Sequence, residues 1–80
     1  MKSPRVGDNV RVVRTPDALP SMLADTRKAL ESIVGYVFPV KGIGRYGQLE
    51  LMVGSVVDPL IGGFMNTVWI EPDCVVVVNQ

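Results

Sequence analysis

The sequence predicts a mainly β domain: five short strands closing into a small barrel, with one α-helix inserted between strands 1 and 2. Three observations carry this prediction. Short runs rich in β-branched residues recur along the chain, separated by clusters of Gly, Pro, Asp and Asn. One window only, residues 20–34, changes to a helical period. The 80 residues form a single domain, residues 1–80. A chain of this size buries about 60% of the surface its unfolded form exposes, so closing a sheet on itself to remove its edges suits it.

In chain order, Val6-Gly7-Asp8-Asn9 is a turn signal and Val10-Arg11-Val12-Val13-Arg14 reads as strand one, ended by Thr15-Pro16-Asp17. From Pro20, the residues Leu23, Thr26, Leu30, Ile33 and Val34 fall on one helical stripe, with Asp25, Arg27, Lys28 and Glu31 opposite. Either Ser21 or Asp25 is placed to cap this helix, whose first turn is separable, and Gly35 stands where a left-handed terminator belongs. Asp25–Lys28 and Arg27–Glu31 have the spacing of surface ion pairs. The stripe is expected to cover one open end of the barrel.

Residues 36–41 read as strand two, in which Pro39 cannot donate to a ladder and so predicts an edge or a bulge. A glycine-rich turn, 42–47, leads into Gln48-Leu49-Glu50-Leu51-Met52-Val53, where clean alternation turns Leu49, Leu51 and Val53 inward. Residues 54–65 read as a long connection containing Asp58-Pro59 and Gly62-Gly63. Residues 66–70 form strand four, Glu71-Pro72-Asp73 a tight turn, and 74–78 strand five.

The opening Val6-Gly7-Asp8-Asn9-Val10-Arg11-Val12 resembles the GDxVRV start of many SH3-like barrels. These include the translation-type KOW modules and the barrel subunits of nitrile hydratase and of ferredoxin–thioredoxin reductase; short bacterial proteins without an assigned role look alike too. Val68-Trp69-Ile70-Glu71-Pro72-Asp73-Cys74-Val75 is similar to the strand, one-turn helix, strand ending of SH3 domains. The two stretches cover about a quarter of the chain. The resemblance implies an SH3-like fold and carries no chemistry, because a shared barrel does not transfer a function. The row of aromatics that lines a proline-peptide groove is missing.

Composition excludes several classes of function. Histidine is absent, which removes Ser-His-Asp and Cys-His catalysis in their usual forms. Cys74 is the only cysteine, lies among valines and has no positive neighbour in sequence, so it reads as a small apolar core residue. A lone cysteine without histidine argues for a reducing, cytoplasmic setting and against structural zinc. Glu71 and Asp73 fall short of the six to eight oxygens that calcium takes. Gly42-Ile43-Gly44-Arg45-Tyr46-Gly47 spells GxGxxG, yet a strand follows where a dinucleotide site needs a helix, so the glycines read as hairpin residues. No cofactor or metal is expected.

Eight Lys and Arg balance eight Asp and Glu, which argues against nucleic acid as a partner. The alternative of a nucleic-acid-associated barrel rests on Arg45 and Tyr46, the one basic and stacking pair at an exposed turn. No apolar run approaches the roughly 20 residues of a spanning helix, so no membrane is expected. The apolar fraction, 48%, is high for so small a chain. It concentrates in the 54–65 connection, where Val56, Val57, Leu60, Ile61, Phe64 and Met65 stand in a segment that is polar in most barrels. Either the segment folds back over its own barrel or it pairs with another chain. The expectation is a non-enzymatic interaction module that forms a homo-oligomer through these six residues, or an accessory subunit of a larger enzyme.

Overall fold

A computed structural model of the chain describes residues 3–64 and 66–79. The alternating segments form five strands, β1 (Asn9–Val12), β2 (Val37–Ile43), β3 (Leu49–Met52), β4 (Thr67–Ile70) and β5 (Val75–Val77). All pairings are antiparallel, in the order β4-β3-β2-β1-β5. The sheet is open, with β4 and β5 at its ends and no ladder joining them among the described residues, where closure into a barrel was expected. Two helices accompany it instead of one: α1 (Ala24–Ser32), between β1 and β2 as predicted, and α2 (Gly54–Ile61), between β3 and β4.

Alternation places the core. Val10 and Val12 on β1, Phe38 and Val40 on β2, Leu49 and Leu51 on β3, and Ile70 on β4 are all buried, and Val53 follows the β3 pattern. Ala29, Leu30 and Ile33 from α1 and Val57 from α2 close over them. The α1 stripe is narrower than its sequence suggested. Leu23 is the N-cap residue in extended conformation and is 81% exposed, while Val34 lies past the helix end and is exposed. Met22, in the turn before α1, packs on the core instead.

Neither Ser21 nor Asp25 caps α1. Ser21 Oγ donates to the Ala18 carbonyl within a separate one-turn 3-10 helix, Leu19–Ser21. Gly35, at φ +93°, stands two residues past the C-cap Ile33 and donates its N–H to the Val12 carbonyl of β1, so it turns the chain toward β2 instead of capping α1. The ion pairs expected on α1 are not formed; among the described residues Arg14 makes both ion pairs, with Asp17 and Asp73.

Pro39 sits in the middle strand of the sheet, not at an edge. Val40 N–H donates to the Asp8 carbonyl and Val40 C=O accepts from Gly7, so this residue faces β1. Alternation turns the Pro39 nitrogen toward β3, whose pairing with β2 begins only at Val40, so no ladder bond is lost there. The predicted irregularity lies two residues on, as a bulge between Val40 and Gly42. The glycine segment is a hairpin: Gly44 N–H donates to the Gln48 carbonyl at 2.8 Å, and Gly47 takes φ +85°.

The 54–65 connection is a helix for most of its length. The Val53 carbonyl accepts from Val56 and Val57, and Val57 drops into the core with none of its surface exposed. Pro59 is tolerated near the end of this short helix because the carbonyl it leaves without a donor belongs to Ser55, an exposed residue. Burial of one apolar face outweighs the poor helix propensity of Gly54 and Pro59.

Candidate functional site

The six apolar residues expected to form an interface divide by position on and after α2. Val57 belongs to the core, and Val56 and Ile61 are half-buried against it, so these three cover their own sheet. Leu60 is 44% exposed and Phe64 85%. Met65 lies outside the described residues. The segment after α2 is stapled from both ends. The Asp58 carboxylate accepts from the backbone N–H of Asn66 at 3.1 Å and from its side-chain amide. The same amide donates to the Gly62 carbonyl, and Gly62 N–H returns to the Asp58 carbonyl. Phe64 is carried at the tip of this closed loop.

Beside it runs a groove of about 340 Å³. One wall is α1 and its preceding turn, through Met22, Asp25, Thr26, Ala29 and Leu30, the spacing of a single helix face. Val57 and Ile61 of α2 supply the floor. The opposite wall is Asn66, Thr67, Val68 and Trp69. Successive strand residues point to opposite faces of a sheet, so four in a row can border one groove only if the strand presents its edge. Among the described residues β4 pairs with β3 alone, from Thr67 to Ile70, and the edge facing the groove is its unpaired one. Among the described residues Asp25 is the only ionisable side chain in the lining. A wider depression, about 610 Å³, follows β5 between Ser3-Pro4 and Pro72-Asp73, without an α-helical wall.

The residues of the nucleic-acid alternative sit at the β2–β3 hairpin. Tyr46 is 81% exposed and Arg45 is exposed beside it. Arg14, another basic residue, is committed to carboxylates: its guanidinium reaches Asp17 at 3.1 Å and Asp73 at 2.8 Å. This raises the guanidinium pKa and holds the Asp73 carboxyl below its usual range, chiefly through the hydrogen bonds. Arg14 is thus the positive neighbour of Cys74 that linear sequence hides. Burial nevertheless dominates and pushes the Cys74 thiol up to about 11, the protonated, unreactive form at neutral pH. No cluster of three acidic, Cys or His residues able to hold a metal occurs among the described residues.

Asp8 of the turn motif is a buried carboxylate with a structural task. Its Oδ2 accepts from Arg5 N–H at 2.9 Å and its Oδ1 from the Asn79 side chain at 2.8 Å. Asn79 Oδ1 in turn accepts from Asn9 N–H, so the motif ties the start of the chain to its end.

Sequence reasoning missed the groove. Trp69 was legible as a strand residue, and its outward position follows from alternation with the buried Ile70. Gly44 of the β2–β3 hairpin leaves room for the indole, since a Cβ there would lie 3.1 Å from Trp69 Cζ3. Comparison with protein-family models, curated proteins and solved structures found no match. No helix among the described residues is long and apolar enough to cross a membrane.

Proposed function

We propose that this chain is a non-enzymatic protein-interaction module of SH3-like architecture that self-associates through the end of α2. The architecture is supported by the strand order β4-β3-β2-β1-β5 and by the division of β2, which pairs with β1 over its first half and with β3 over its second. The one-turn 3-10 helix Pro72–Cys74 between β4 and β5 supports it as well. A non-enzymatic role fits the absence of histidine and the buried, protonated thiol. Cytoplasmic residence belongs to the same reading and rests on the lone cysteine.

Self-association is carried by Phe64, 85% exposed on the loop that Asp58 and Asn66 tie together, with the exposed Leu60 four residues before it at the end of α2. Burying a phenylalanine is worth about 1.5–3 kcal/mol, and a two-fold dimer gains it twice because the same patch meets itself. Zero net charge offers no long-range repulsion between copies. Light scattering at tens of micromolar tests the reading, at a concentration where weak specific dimers persist. The parent is expected to be a dimer, Phe64→Lys a monomer with an unchanged circular dichroism spectrum, and Arg45→Ala still a dimer. A monomeric parent removes the self-association.

A further inference from the structure

β4 is an edge strand without the usual protection. Natural edges carry charges, prolines or bulges that discourage pairing; Thr67-Val68-Trp69-Ile70 has none of these and pairs in register with β3 throughout. Thr67 and Trp69 are exposed. The Asn66 carbonyl accepts from Val53 N–H at the β3 side. Alternation along an antiparallel ladder then directs the backbone N–H and C=O of Thr67 and Trp69 to the other edge, into the groove.

We propose that the slot between this edge and α1 takes an extended peptide segment of a partner protein, added to β4 as a sixth strand, with a basic side chain placed at Asp25. Strand addition supplies main-chain hydrogen bonds, and the groove supplies the choice of side chain. At about 3.4 Å per residue, the four residues of β4 accommodate a peptide core of similar length. Peptide side chains turned inward meet Met22, Ile61 and Val68, the half-buried apolar residues of the lining, which select apolar residues. Among the described residues the Asp25 carboxylate is the sole charge in the lining, and Lys28, one turn on along α1, lies outside it, so a basic residue is favoured and an acidic one rejected. A second copy of this chain is a poorer occupant, because its own β4 edge is flanked by its own α1 wall and the two walls meet.

The test uses a blocked heptapeptide of alternating valine and threonine with one terminal lysine. Trp69, the only tryptophan, reports binding through its emission, and hydrogen exchange reports the Thr67 and Trp69 amides. Saturable binding with slowed exchange at those two amides is expected. N-methylation of the peptide amides that face β4 is expected to weaken binding at least tenfold. A glutamate in place of the lysine is expected to weaken it several-fold, and Asp25→Lys, an exposed helix position, to reverse that preference. Running the titration on Phe64→Lys as well as on the parent separates this site from self-association. Absence of binding at millimolar peptide, equal binding of the N-methylated peptide, or an unchanged lysine-to-glutamate preference in Asp25→Lys overturns the proposal. So does a dimer whose Thr67 and Trp69 amides are protected without peptide.

Discussion

Leu30 joins the core to the groove, and shortening it tests both. It is 2% exposed, on the face of α1 that packs over the sheet. Leu30→Ala removes three carbons, worth about 0.8 kcal/mol each in lost burial, or about 2.4 kcal/mol together. A further cost, about 24 cal/mol per Å³, attaches to whatever cavity stays empty. Leu30 also borders the solvent-open groove, so the space it vacates merges with that groove and relaxes more readily than a sealed void. The expected loss is therefore about 2–4 kcal/mol, within the 2–5 seen for buried leucines. Leu51→Ala serves as the comparison, because Leu51 is fully buried on β3 and does not border the groove; its loss is expected near the upper end of that range. A chain this long has a total stability on the order of 4–12 kcal/mol, so Leu30→Ala should remain measurable in the cold. Urea titration followed by Trp69 emission and by circular dichroism gives both midpoints. A Leu30→Ala midpoint equal to that of the parent refutes the packing of α1. A loss larger than that of Leu51→Ala refutes the argument that the groove relieves the cavity.

Two further outcomes follow from buried polar groups. The Cys74 thiol, pushed up to about 11 by burial, keeps its proton in the folded state at pH values where the unfolded chain, with its pKa of about 8.5, releases it. Its contribution is thus complete below about pH 8.5 and falls by about 1.4 kcal/mol per pH unit as the pH rises toward 11. Urea midpoints at pH 8 and 10.5 should show this decline in the parent and a smaller one in Cys74→Ala; equal declines refute it. Asp8→Ala strips acceptors from Arg5 N–H and from the Asn79 amide and should cost about 1–3 kcal/mol, the usual penalty for groups left unsatisfied. Faster hydrogen exchange at Asn9, whose N–H donates to Asn79, is expected with it, and an unchanged midpoint contradicts the role assigned to Asp8.

What the sequence alone determined is local. Alternation in 48–53 foretold which of Leu49, Leu51 and Val53 turn inward, because a strand's period of two is a property of the backbone. Gly35 foretold the turn after α1, and Gly47 the hairpin, because positive φ is open mainly to glycine. The helical period marked α1 but overran it at Leu23 and Val34, since periodicity does not register where the backbone leaves the helix. α2 was hidden, because Gly54, Asp58 and Pro59 are turn residues by local preference. Their helix is held by Val57 in a core assembled from distant segments, and its end by Asn66 on Asp58. The groove belongs wholly to tertiary structure. It faces α1 with β4, elements some forty residues apart in the chain, and its key feature is an edge left unpaired by the order of the strands. No local pattern encodes a missing neighbour; only the assembled sheet decides which strand stands last.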